Sequence, residues 1–176
     1  MKISHVGTVT ASSMRMQTTS DPAVLGAIAA ELATLLYAER RRVRRLEIVS
    51  KEMSEKEVAR LLMCHRIEAE RHVERLERAF AFLGQPSFES ACQHLDEIFA
   101  HGEVACAMLT GEARDAVQLA VTRQLQTYRA TAYRRALALA VEAGFDRVAT
   151  MLRANFQEET AAGIELERYS VVRLAS

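Results

Sequence analysis

The sequence is short of residues that interrupt helices, with two prolines and seven glycines among 176 residues. That scarcity, together with abundant Ala, Leu, Arg and Glu, points to an all-α protein. It also lacks a charge excess. Its 23 basic and 23 acidic residues give a formal net charge of zero, which argues against a nucleic-acid domain, since such domains usually carry a basic surplus. No apolar run approaches the ~18 residues expected of a membrane span, and the N-terminus has no apolar core of the signal-peptide kind. The three cysteines, Cys64, Cys92 and Cys106, form neither a paired framework nor a metal-binding spacing. Reduced thiols in a cytoplasmic protein are the simple expectation. No period of 20–50 residues recurs, which excludes a solenoid. The length suits one domain with a sizeable core.

Four long amphipathic stretches account for most of the chain. Residues 1–20 are polar and read as a tail, with an alternation over Ile3–Thr10 that suits a short extended segment. The first helix opens at Ser20-Asp21-Pro22, a cap followed by proline in the first turn. Its apolar stripe, Leu25 to Leu35, is interrupted by Glu39 and resumes at Val43. The arginine run Arg40, Arg41, Arg42, Arg44, Arg45 follows. Most of it is expected to face solvent, with Arg42 leaning inwards one turn from Glu39. The second helix starts near Ser54, where Ser54-Glu55-Lys56-Glu57 fits a capping box. It runs to Leu83 and stops at Gly84, with Pro86 beyond. Residues 87–110 form a connector with a short helix over Ser90–His101, ended or bent by Gly102. The third long helix covers about Glu112–Ala143 and the fourth about Phe145–Tyr169, joined by so short a link that they must be antiparallel neighbours. Val171–Ser176 reads as a second tail. The expected architecture is a four-helix bundle over 21–170 with an additional short helix in the connector.

All four helices carry polar groups at about half height: Glu39; His65, Glu68 and His72; Gln126 and Arg129; Glu158 and Glu159. His65, Glu68 and His72 lie on the apolar stripe of their helix, between Leu62 and Leu76, at steps of three and four residues. Titratable groups facing a helical core need partners. Carboxylates and histidines converging inside a bundle resemble a di-metal carboxylate site, whose template takes a Glu from each of two helices and Glu-x-x-His from each of the others. Such donors suit iron or manganese. The chain contains no Glu-x-x-His, and its third helix offers only Gln126 and Arg129.

Several motifs, in order, resemble the YciE/YciF-type ferritin-like family of bacteria, whose function is poorly defined. They are Leu36-Tyr37-Ala38-Glu39, His65-x-x-Glu68 followed by Val73-Glu74-Arg75-Leu76-Glu77, the connector Cys92–Glu103, Tyr128 with Ala132-Tyr133 and Arg135-Ala136-Leu137-Ala138, and Glu158-Glu159. The resemblance covers about three quarters of the chain. It implies a ferritin-like bundle, a stress-associated role, and metal ligands at Glu39, His65, Glu68 and Glu158 or Glu159. Of that pair, Glu159 is taken as the ligand. The family usually reads Glu-His-Tyr-Glu in the third helix. Here those positions are Gln126-Thr127-Tyr128-Arg129, and position 42, usually apolar, is arginine.

A di-iron(III) centre needs several carboxylates to neutralise it. Removing two and adding a guanidinium works against metal. The same guanidinium can pair with the carboxylates that remain, because its fork can hold two at once. Arg129, with Arg42, is therefore expected to serve as counter-charge in a structural layer that also includes Gln126 and Glu158. Two functions follow. One is a non-catalytic, stress-related ferritin-like bundle without a cofactor, acting by protein–protein association as a homodimer or with another protein, with no nucleic-acid or membrane partner. The other is a di-iron or di-manganese metalloprotein with ferroxidase- or peroxidase-type chemistry.

Overall fold

The computed structural model describes residues 21–174, among which five helices follow one another without a strand. They are α1 (Pro22–Glu52), α2 (Lys56–Phe82), α3 (Gln93–Cys106), α4 (Gly111–Glu142) and α5 (Asp146–Leu174). The expected N-terminal tail over 1–20, with His5, Met14 and Met16, lies outside the described residues.

The helix ends show where local signals held and where distant ones took over. At α1, the Asp21 carboxylate accepts from the Ala23 N–H at 2.9 Å, and Pro22 occupies the first turn. At α2, the capping box expected at Ser54 does not form. The helix starts at Lys56, and the N–H groups of Ser54 and Glu55 donate instead to the buried carboxylate of Asp115 on α4, at 3.0 and 3.3 Å. Gly84 and Gly144 close α2 and α4 with φ of 67° and 75°, the left-handed conformation that glycine adopts without a Cβ penalty.

The connector helix begins and ends later than its sequence suggests. Gly102 does not end it, because this glycine serves a close approach rather than a turn. A Cβ at Gly102 would lie 2.8 Å from Cγ2 of Val121, so α3 can seat against α4 only with hydrogen at that position. At the other end of the chain, α5 continues through 171–174, residues expected to leave the helix. Leu166 and Tyr169 anchor this last stretch in the core.

Contacts along the helices give the topology. Short links at 53–55 and 143–145 make α1/α2 and α4/α5 antiparallel pairs. The α2–α4 connector travels the length of the bundle: Ser90 donates to the Ala33 carbonyl, Tyr37 to Asp96, and Arg41 lies over Phe99. So α3 runs parallel to α1, and α4 returns antiparallel to it, from the Arg114–Glu52 pair to the Arg135–Glu31 pair. Around the bundle the order is α1, α2, α5, α4, with α3 packed outside against α4.

This path alters the reading of the arginine run. Arg40 bonds Glu77 and Glu89, Arg41 pairs with Asp96, and Arg42 is buried. The connector thus covers a face expected to be solvated. The apolarity of α1 also exceeds the first reading. One 18-residue window of it is long and apolar enough to cross a membrane, with 44% of that window buried in the bundle. Ile28, Leu32, Leu35 and Leu36 in this helix are fully enclosed by other core residues, which accounts for the apolarity.

The core has a large cluster at one end, around Ile28, Leu76, Phe80, Tyr133 and Leu152, and another at the opposite end, around Leu46, Val58, Leu62 and Leu166. A third lies beneath α3, around Leu95, Phe99 and Leu125. Between the two end clusters sits a polar layer.

Candidate functional site: a buried ion-pair layer

Each of the four bundle helices contributes charged or polar side chains to this layer. Glu39 and Arg42 come from α1, His72 from α2, Gln126, Arg129 and Tyr133 from α4, and Asn155 and Glu159 from α5; all are buried. The register follows from the two hairpins. Arg129 lies as far before Gly144 as Glu159 lies after it, so the antiparallel pair brings them level. Glu39 and His72 also come level across the turn at 53–55, although His72 lies three residues further from it than Glu39 does.

Glu159 is the hub. Its Oε1 accepts from Arg129 Nε at 2.9 Å, with Arg129 Nη2 at 2.7 Å, and its Oε2 accepts from Arg42 Nη1 at 2.6 Å. Glu39 is the second anion. Its Oε1 accepts from the Tyr133 hydroxyl at 3.0 Å and faces His72 Nδ1 at 3.1 Å, while its Oε2 takes Arg42 Nη1 at 3.4 Å. Arg42 therefore bridges two carboxylates. His72 Nε2 faces Glu158 Oε2 at 2.9 Å, and Arg75 grips both oxygens of Glu158 at 2.7 and 2.8 Å. Each ring nitrogen of His72 thus faces a carboxylate. Asn155 ties the far side together, accepting from Arg75 and donating to the Tyr133 hydroxyl.

Electrostatics inside the layer follow from that wiring. Burial alone would push the Glu39 carboxyl up, but His72 and Arg42 outweigh it and hold the group well below the ordinary carboxylate range. For Arg42, burial opposes the charge while Glu159 and Glu39 sustain it, and the net displacement is upward. Burial, reinforced by Glu39 and Glu159, drives the Tyr133 phenol far up, so it stays a donor. At Gln126, Nε2 donates to the Glu159 carbonyl at 2.7 Å. Gly163 makes this possible, because a Cβ there would stand 2.7 Å from that nitrogen.

The residues read from the sequence as ligands do not all converge. Glu39 and Glu159 meet. His65 is buried but turned towards Glu165 on α5, at 3.1 Å, and Glu68 is half-buried with no hydrogen bond or ion pair among the described residues. His72 takes the central place. Arg75, Asn155, Tyr133 and Glu165 were not assigned to the layer. The pairing of α2 with α5 brings in Arg75, Asn155 and Glu165, and Tyr133 enters from α4 through Glu39 and Asn155.

The donor atoms of Glu39, His72 and Glu159 lie within 4.8 Å of one another, the spacing of a metal-ligand set. The set nevertheless does not fit a di-metal centre. Its carboxylate oxygens are already bonded to Arg42, Arg129 and Tyr133, and a cation there would face two buried guanidiniums at contact distance.

Comparison with known proteins gives the fold a lineage. No curated protein matches the chain. Among solved structures, YciF, the E. coli stress protein, superimposes with a TM-score of 0.79 at 19% identity, covering 92% of this chain and 99% of that one. YcfI from Rhodopseudomonas palustris gives 0.77 at 24% identity, covering 88% and 96%. A two-domain protein of Anabaena variabilis with DJ-1/ThiJ/PfpI-like and ferritin-like domains gives 0.65 at 15% identity; 90% of this chain covers 39% of that one. The fold is a ferritin-like four-helix bundle with one extra short helix. Residues 27–174 match a domain of unknown function, DUF892, and the chain belongs to that family.

Proposed function

We propose that this protein is a non-catalytic ferritin-like bundle whose centre is held by arginine in place of metal, and that it acts by associating with protein, as a homodimer or with another chain. The observation that carries this reading is the double clamp on Glu159 by Arg42 and Arg129, in which buried guanidiniums take the carboxylates that a metal would need. The scarcity of free donors points the same way, since both oxygens of Glu39 and Glu159 are already bonded. A stress-related role is part of the proposal, supported by the likeness to YciF, described as a stress protein, and a cytoplasmic location is proposed with it.

A second reading keeps the metal. The 4.8 Å grouping of Glu39, His72 and Glu159 favours it, with iron or manganese as the ion and ferroxidase- or peroxidase-type chemistry as the function. It requires Arg42 and Arg129 to swing away from Glu159.

Elemental analysis before and after anaerobic Fe(II) loading and desalting separates the two. Background metal in both samples is expected. About two metals per chain, the stoichiometry of the bundle template, would overturn the proposal. Sedimentation equilibrium tests the association, with a dimer as the expected species.

A further inference from the structure

Away from the polar layer, a cleft of about 510 Å³ opens between the C-terminal part of α1, the end of α3 and the start of α4. That volume lies within the range of small-molecule sites. Four arginines line it, Arg41, Arg44, Arg45 and Arg114, against two carboxylates, Glu52 and Glu103. Glu52 is already paired with Arg114 at 2.7 Å and Arg41 with Asp96 at 3.2 Å, so Arg44 and Arg45 against Glu103 leave the cleft a surplus of one positive charge.

Two of those guanidiniums have unused donors. The Nε–H groups of Arg45 and Arg114 are shielded from water and have no hydrogen-bond partner; among the described residues, only Arg66 shares that condition. A donor that water cannot reach is equally closed to a ligand oxygen, so an anion in the cleft meets these guanidiniums at their outer Nη1 groups, which have no partner among the described residues. Arg45 is positioned rather than loose. Its Nη2 donates to the buried Gln118 side chain at 2.6 Å and its guanidinium lies 5.5 Å from the Phe99 ring centre, with Arg41 on the same ring at 4.7 Å. Burial also makes the Arg45 charge harder to hold, which a bound anion would relieve.

The remaining wall is apolar. Ile48, 58% exposed, and Leu109, partly exposed, both line it. Fixed guanidinium donors beside an uncovered apolar wall match a ligand with an anionic head and a short hydrocarbon tail. A metal ion is disfavoured by the charge.

We propose that this cleft binds a small organic anion, a carboxylate or phosphate monoester, with its head on Arg45 and Arg114 and its apolar tail on Ile48 and Leu109. Guanidinium forks recognise both head groups, so the chemistry is shared and the head is settled by measurement.

Calorimetric titration of the full chain with acetate, hexanoate, inorganic phosphate and hexyl phosphate tests it. At least one tailed probe should bind about tenfold or more tightly than its tailless counterpart, as expected for burying several methylenes; the tighter of the two tailed probes identifies the head. Arg45→Gln should weaken that binding about tenfold, the loss of a charge-assisted contact. Arg114→Gln should do likewise, and with a side chain 34% exposed it serves if Arg45→Gln disturbs folding. No saturable binding by any probe, equal affinity with and without the tail, or indifference to both substitutions would overturn the proposal.

Discussion

The same Arg–Glu chemistry appears in two settings in this protein. In the central layer, Arg42, Arg129 and Glu159 are enclosed by four helices, with side chains no more than 4% exposed. On the surface, Arg123 reaches Glu167 across α4 and α5 with both side chains about half exposed, at the same 2.7 Å. Distance does not distinguish these pairs, but the surroundings do. Water screens the outer pair and solvates each partner when the contact opens, so it contributes little. The inner groups have already given up their hydration, so each depends on its partner. The inner layer therefore specifies the arrangement of the helices, whereas the outer pairs decorate a fold that other forces hold.

The sharpest way to break this contrast is to remove the hub. Glu159→Ala leaves two guanidiniums buried without their main partner and should cost about 3–5 kcal/mol in denaturant unfolding, as should Arg129→Ala. An unchanged melting temperature for either would show that the layer is solvated. Replacing the charges together sharpens the comparison. A variant carrying Arg42→Met, Arg129→Met, Glu159→Leu and Glu39→Gln removes the desolvation cost along with the attraction, and should come out between neutral and about 1–4 kcal/mol more stable than the parent. If it is less stable than Glu159→Ala alone, the layer contributes net stability and not merely specificity.

Acid provides a milder probe. Glu39 is ionised more readily in the folded chain than at its ordinary value of 4.5, so its contribution is present above that pH and is lost as the pH falls below it. His65 acts earlier. Burial, only partly offset by Glu165, lowers its value from 6.5, so the folded state prefers the neutral ring and loses stability as the pH drops below 6.5. Thermal melts from pH 7.5 to 3 should show a shallow decline beginning near 6.5 and a steeper one beneath 4.5. His65→Gln should remove the first and leave the second. The smallest effect is expected outside. Arg123→Ala should change unfolding free energy by about 0–1 kcal/mol, and 1 M salt should erase even that difference.

Much of this architecture could be read from residue spacing. The stripes of α1, α2, α4 and α5, the glycine stops at 84 and 144, and the mid-height polar groups all arise from local periodicity, which a linear sequence displays. The start of α2 was misread because Asp115, sixty residues away, takes the place of its cap. Gly102 was misread because a glycine needed for close packing looks in sequence like a glycine needed for a turn. His65 and His72 share one stripe, and periodicity cannot choose between two residues seven apart. Only the axial register of α1 against α2 sets His72 opposite Glu39 and leaves His65 to Glu165.

By itself the sequence determined that the chain is helical, that four helices must bury one face each, and that arginine stands among the mid-bundle carboxylates. Those properties belong to each helix singly, through side-chain periodicity and charge. The tertiary structure decided which charges meet, that Glu159 rather than Glu68 is the hub, and that an arginine-lined cleft opens between the ends of α1 and α3 and the start of α4. Those outcomes depend on the rotation and height of one helix against another, fixed by the packing of the whole bundle.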